Sequence, residues 1–460
     1  MNVPRTRADC VVILLVALPV VVHCQSGPTE AFREWARDHG HPIASVSQDS
    51  DNNADLKAFD SLIGDAQVVA FGEPVHGAHE PLAMRNRLIR YGVTRLGFTA
   101  LALETCLSSS KRLYDHVLGR TTETDSGLKD AFCYGFGDLP ENLELIRWLR
   151  TYNAGQQPAR QARLYGVDLS GQYRPYAYRS IENVLTFLER AGPILRAVRT
   201  QYADLIPLFR SDKYVKLTAA EKDAITGKIQ DLIALIQRER TPLTAATSRD
   251  DYEWALRQAI VAGQDDAFLR ALPPDWNRDL LAPSPAKVQP GERFDQSAEM
   301  REVAIADNVL WVQQRECRRG KVFFFAHDQH VQTDVGVIGS PSRPPPGPWR
   351  RIRCAGSYLH SALGSDLVVI GTYYGHRVGF PAADVPPPSD AHEMEDLFTA
   401  LSIPLFIVDL RDLPGTGPLR EWFGVAHATG EDPYTIVPLK AYDALLFIDK
   451  VTPSPPPQQP

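Results

Sequence analysis

The sequence predicts an α/β fold: a mainly parallel central sheet flanked by helices, with an all-helical insertion. Three observations predict it. Seven short apolar runs recur along the chain, most of them separated by stretches of helical periodicity. Four of those runs are followed at once by acidic residues or histidine. One long block, 176–270, carries helical patterns only. Short continuous apolar runs alternating with amphipathic stretches mark strands buried on both faces and joined by crossover helices.

The chain opens with Arg5 and Arg7 ahead of an apolar run, Val11 to Val22, interrupted by Pro19. That run is too short to span a bilayer, which takes about 20 residues, and has the layout of a secretory leader. Residues 1–24 are therefore expected to be removed, leaving a secreted or periplasmic protein with no membrane span. Residues 27–60 are polar, with one helical stretch at Thr29–Asp38. The apolar runs follow: Val68–Phe71, Ala100–Leu103, Leu164–Val167, Val322–Ala326, Leu367–Thr372, Leu405–Val408 and Leu445–Ile448. Within the helical insertion Thr218 and Glu221 form a capping box. Behind it Ile225, Ile229, Leu232, Ile233 and Ile236 repeat on one helix face, the stripe of a helix packed in a small bundle. Two Pro-rich stretches, Leu272–Pro290 and Pro341–Trp349, read as extended loops. The tail Thr452–Pro460 is low-complexity and expected to be disordered. Residues 27–450 thus form one catalytic domain that includes the insertion.

Composition excludes more than it assigns. The net charge of −7 offers no basic excess to neutralise phosphates, so nucleic acid is not an expected partner. A mean hydropathy of −0.23 argues against a polytopic membrane protein. Cys10 and Cys24 fall in the leader, leaving Cys106, Cys133, Cys317 and Cys354. In an oxidising compartment four cysteines allow two disulfides in three connectivities. Proximity in the chain favours Cys106–Cys133 and Cys317–Cys354. Nothing in the sequence fixes an oligomeric state.

The polar residues collect after the apolar runs. Val68–Phe71 leads into Gly72-Glu73-Pro74-Val75-His76-Gly77. Ala100–Leu103 leads into Glu104, Leu164–Val167 into Asp168, and Val322–Ala326 into His327-Asp328-Gln329-His330. If the runs are parallel strands, all four clusters share the carboxyl edge of one sheet, where open α/β sheets bind ligands. Imidazole exchanges protons near neutral pH, and a neighbouring carboxylate can orient the ring. Any one of these residues is more often a cap or an ion pair than a catalyst. Four separate elements agreeing on one edge make the stronger case. The chain has no GxSxG elbow, no HExxH, no P-loop and no GxGxxG. The chemistry left is attack by an activated water, with or without a metal.

At these positions the sequence resembles the erythromycin esterase family. The resemblance rests on GEPVHGAHE at 72–80, LALE at 101–104, YGVDLSG at 165–171 and AHDQHV at 326–331. Weaker likeness covers REVAIADNVLW at 301–311, which resembles an Arg-acidic helix, and the segments at 356–371, 408–413 and 442–448. It implies an α/β fold with a helical insertion and hydrolysis of an ester; the best-known members open the macrolactone of erythromycin-type antibiotics. It implies that His76 is the general base, Glu73 its acidic partner, Glu104 a second pocket carboxylate, and His327 and His330 the later histidine pair. Arg85 matches a basic substrate-binding residue, and Asp168 is placed with it. The family commonly has Asn where this chain has Asp328, a carboxylate that could shift histidine pKa or favour a cation.

Three readings follow. The first is an exported hydrolase that cleaves a carboxylic ester or lactone with water activated by His76, requiring no cofactor and no serine nucleophile. The second is a metal-dependent hydrolase or peptidase with a divalent cation on Glu73, His76, His327 and His330. The third is a binding protein that holds a polar small molecule without turnover.

Overall fold

The computed structural model describes residues 27–47, 53–170, 177–272, 292–338, 350–381, 393–428 and 434–456. The expected leader and both Pro-rich stretches lie almost wholly outside the described residues. Among the described residues twelve strands occur: β1 (Gly40–Pro42), β2 (Val68–Glu73), β3 (Phe98–Cys106), β4 (Arg163–Asp168), β5 (Lys321–His327), β6 (Val335–Ile338), β7 (Arg350–Arg353), β8 (Leu367–Arg377), β9 (Leu405–Asp409), β10 (His427–Ala428), β11 (Tyr434–Ile436) and β12 (Ala444–Val451). Eight form one sheet in the order β1-β9-β12-β8-β2-β5-β3-β4. All seven expected runs are strands of this sheet. From β12 to β4 every pairing is parallel.

One run departs from the expected direction. β9 pairs antiparallel with both β12 and β1, so the sheet is mixed at one edge. Apolar content marks a strand as buried but carries no information on its direction. A second, four-stranded antiparallel sheet, β10-β11-β6-β7, was not expected; its strands are only two to four residues long.

The core has two layers, one on each face of the sheet. Val68, Ala70, Ala100, Ala102, Phe324 and Val369 pack on one side, and Val69, Phe71, Leu101, Leu103, Phe323 and Phe325 on the other. This is the period-2 alternation of strands covered on both faces. The insertion is helical as expected, with Tyr178–Ala191, Ala219–Arg238 and Arg249–Ala271 as its longest helices among the described residues. Thr218 and Glu221 form the capping box, and Ile225, Ile229, Leu232 and Ile236 are buried. The helix Arg249–Ala271 packs against both of the others and against the helix Glu292–Glu316.

Two expectations are corrected. Cys106 and Cys133 are joined by a disulfide, but Cys317 and Cys354 are not joined; Cys317 is exposed and Cys354 buried. Closeness in sequence is a poor guide when three strands, β5, β6 and β7, and the short helix Asp328–Val331 reorganise the intervening chain. The tail also begins with ordered residues. The Thr452 amide and hydroxyl donate to Glu80 at 2.7 and 2.8 Å. Ser454 donates its amide to Gly77 O at 2.8 Å and its hydroxyl to Glu141 Oε2 at 2.5 Å. Glu80 on the His79–Tyr91 helix, Glu141 on the Pro140–Ala154 helix and the Gly77 carbonyl hold a segment whose composition alone gives it no reason to fold. Among the described residues no helix is long and apolar enough to cross a membrane.

Candidate active site

The order of the sheet decides the site. β2, β5, β3 and β4 are consecutive neighbours and end in Glu73, His327, Cys106 and Asp168 respectively. Glu73 is paired directly with His327 across β2 and β5. The β3–β4 register shifts between Leu103 and Cys106, where Glu104 lies. An irregularity of this kind re-aims side chains at the end of a strand. All four polar clusters read from the sequence therefore share one sheet edge.

His76 sits in the turn after β2. Pro74 interrupts the strand, and Gly77 takes a left-handed φ of 75°, which side-chain-bearing residues adopt reluctantly. The turn folds His76 back on its own strand, with Nδ1 2.7 Å from Glu73 Oε2. Nε2 faces Glu104 Oε1 at 3.9 Å. Desolvation works against charge on this ring, but Glu73 and then Glu104 outweigh it and push its pKa up to about 9. Because 41% of the side chain remains open, water screens this pull more than it would for a buried pair. The rings of Phe136 and His327 stand 5.2 and 4.9 Å from that of His76.

Glu104 is the hub. Its Oε1 accepts from Arg301 Nη2 at 2.9 Å and lies 3.4 Å from His330 Nε2. Its Oε2 accepts the backbone amide of His327 at 2.8 Å. Burial opposes ionisation, yet His330, His76 and Arg301 hold this carboxyl well below the usual range. His330 is buried, with Nδ1 2.7 Å from Glu302 Oε1. Desolvation is again outweighed, here by Glu302 and Glu104 against the opposing Arg301, and the ring is pushed up to about 10. His327 differs: its Nδ1 accepts the amide of Gln329 at 3.2 Å, capping the short helix Asp328–Val331. A neutral ring accepting at Nδ1 carries its proton on Nε2 and can donate it.

Glu73, His76, Glu104, His327 and His330 are thus brought together. Arg85 and Asp168 are set back from the surface. Arg85 is 2% exposed, and its Nε and Nη2 donate to Asn86 Oδ1 at 3.0 and 2.7 Å. It lines an interior cavity with Glu73, Glu104 and Asn142. Burial lowers its pKa to about 10, against the pull of Glu73, so it stays charged at neutral pH. Asp168 is 0% exposed. Its oxygens take Arg301 Nε and Nη2 at 3.0 and 2.6 Å, the Tyr134 hydroxyl at 2.6 Å and the Leu169 amide at 2.7 Å. A carboxylate so fully engaged has no acceptor left for a substrate; it anchors Arg301 instead.

Asp328 also turns out differently. Its Oδ1 accepts the Thr372 amide at 3.1 Å. A Cβ on Gly72 would stand 1.8 Å from that oxygen, so only glycine lets the two strands and Asp328 meet. The carboxylate faces β2 and β8. The four residues weighed as metal ligands share the cleft but each has another engagement: Glu73 and His76 pair with each other, His330 is held between two carboxylates, and His327 caps its own helix. Among the described residues no group of three His, Cys, Asp or Glu side chains has the arrangement of a metal site. The second-rank partners Arg301, Glu302 and Tyr134 were missed as site residues. The first two lie in REVAIADNVLW, whose likeness to an Arg-acidic helix was the one available signal; Tyr134 gives none.

Comparison with known proteins identifies the family of the chain. The family pattern described as erythromycin esterase matches residues 93–451; Glu104, Asp168, His327 and His330 fall inside it, while Glu73, His76 and Arg85 precede it. The erythromycin esterase type II of Escherichia coli is 27% identical over 368 residues, 77% of this chain and 80% of that protein. A crystal structure of a Bacillus cereus protein superposes with a TM-score of 0.73 at 23% identity, covering 94% of this chain and 99% of the other. A mutant erythromycin esterase in its open conformation gives 0.64 at 15% identity, covering 90% and 98%; these two likenesses speak to the fold alone. With the family pattern spanning most of the sheet and three of the four strand ends that build the cleft, the chain belongs to the erythromycin esterase family.

Proposed function

We propose that the protein hydrolyses a carboxylic ester or lactone by direct attack of water, with His76 as the general base. The observation that carries this reading is the orientation of His76. Glu73 takes Nδ1 at 2.7 Å, which leaves Nε2 on a half-open ring to accept a proton from water. Glu104 fixes the frame by binding Arg301 and the His327 amide. His327, half-buried beside His76, donates from Nε2 to the developing oxyanion. His330 is too deeply enclosed to touch a substrate and holds Glu104 in place. The water proton passes from His76 to the leaving alkoxide, and no acyl-enzyme forms. Because Glu73 and Glu104 favour the imidazolium, His76 works as a base on the alkaline side of neutrality.

The test is a hydrolysis screen of the protein against macrolides, simple lactones and aryl esters, with and without a chelator, alongside His76→Ala. Turnover of at least one class that survives chelation and falls by about 10²–10⁴ in the variant is expected. Full activity in folded His76→Ala removes the assignment. Loss of turnover on chelation, restored by a divalent cation, favours metal-assisted hydrolysis. Ligand binding without product across the whole panel favours a binding protein.

A further inference from the structure

The loop before the helix Pro140–Ala154 bears on Glu104 by a route that the reaction itself does not use. Cys133 is tied to the end of β3 twice: by the disulfide to Cys106 and by its amide, which donates to Thr105 Oγ1 at 2.7 Å. The next residue, Tyr134, has a φ of 61°, a left-handed conformation that a tyrosine holds only where its surroundings enforce it. That conformation delivers its hydroxyl to Asp168 Oδ2 at 2.6 Å. Asp168 grips Arg301 through two nitrogens, and the same Arg301 Nη2 donates to Glu104 Oε1 at 2.9 Å. The chain of contacts starts two residues past Glu104 and returns to it.

We propose that the Cys106–Cys133 disulfide and Tyr134 form a clip that positions Glu104 through Asp168 and Arg301, so that Tyr134 is a positioning residue for the cleft and the disulfide makes its alignment redox-sensitive. The proposal rests on the reading that Glu104 belongs to the reacting cleft. Physically, Asp168 and Glu104 compete for one guanidinium. With the tyrosine hydroxyl in place, part of the Asp168 charge is satisfied and Arg301 is shared. Without it, Asp168 draws Arg301 more fully, and Glu104 loses the donor that fixes Oε1. The disulfide keeps the hydroxyl in place by pinning the residue before it. Both cysteines line a cavity of about 300 Å³ shared with Lys129, Ser170 and Arg179, which gives a small dithiol a way in. Reduction there converts the disulfide to two thiols while the dithiol closes to its own cyclic disulfide.

Glu104 has a reporter that is independent of turnover: the His327 amide, whose proton it accepts. The experiment compares the oxidised protein, the same protein reduced by dithiothreitol, the reoxidised sample and Tyr134→Phe. Each is followed by the nitrogen–proton NMR shift of the His327 amide and by kcat and KM on whichever ester the hydrolysis screen identifies. We expect the amide to move upfield in both the reduced protein and Tyr134→Phe and to return on reoxidation. We expect kcat to fall roughly ten-fold with KM within about two-fold. An unmoved His327 amide in folded reduced protein and in Tyr134→Phe overturns the clip. So does a shift on reduction that Tyr134→Phe fails to reproduce. If the amide moves as expected while no ester is turned over, the clip stands and the hydrolytic reading fails.

Discussion

Glu73→Gln isolates what the carboxylate does to His76. The substitution keeps an acceptor for Nδ1 and removes the charge. In the structure Glu73 and Glu104 lift the His76 pKa from 6.5 to about 9 against desolvation. A raised value of that size leaves about one ring in a hundred neutral at pH 7. An adjacent opposite charge shifts a titrating group by about 1–3 units, and with 41% of the side chain open the lower end applies. Glu73→Gln should therefore move the acid limb of kcat/KM down by roughly one unit, with Glu104 holding the remainder. The neutral fraction at pH 7 should rise roughly ten-fold. The alkaline plateau should fall by about ten- to a hundred-fold, because a weaker and less well held base takes the proton. The assay is ester hydrolysis from pH 5.5 to 10.5, paired with NMR titration of the His76 ring in the unliganded protein. A wild-type acid limb below pH 7, or a limb that stays put in the variant, would refute the electrostatic account of the His76–Glu73 pair.

Three further outcomes follow. Arg301→Met strands the buried carboxylates Glu104 and Asp168 and should cost about 3–5 kcal/mol in urea denaturation; a loss under about 1 kcal/mol contradicts the role given to Arg301. Gly72→Ala forces a methyl group against Asp328 Oδ1 and should cost about 1–3 kcal/mol. Adding Asp328→Ser should restore most of it, and additive losses in the double-mutant cycle would show that the two sites do not meet. His330 has a folded pKa raised from 6.5 to about 10. Its contribution to stability is complete below pH 6.5 and is lost as pH climbs through about 10. Tm should fall across that window, and the fall should be shallower in Glu302→Gln; an identical slope in the two proteins argues against the pairing.

The sequence by itself determined seven of the eight strands of the central sheet and the edge where the site forms. An apolar run of four to six residues followed by a carboxylate or histidine is a local signal. Burial on both faces imposes it wherever a parallel strand ends at a cleft. Glu73, His76, Glu104, His327 and His330 were legible for that reason, and so was the helical insertion, whose Ile225-to-Ile236 stripe follows from helix geometry. Only the tertiary structure decided strand direction at β9, because direction depends on which neighbour supplies the hydrogen bonds. It alone decided the partners of the buried charges. Asp168 reads in sequence like Glu104, yet Arg301 and Tyr134, 133 and 34 residues away along the chain, claim its oxygens and remove it from the surface. Asp328 sits between two site histidines in sequence yet turns to Thr372, because the strand beside it offers an amide and Gly72 leaves the space. Ionised groups in a low-dielectric interior must find partners, and those partners come from wherever the fold brings them.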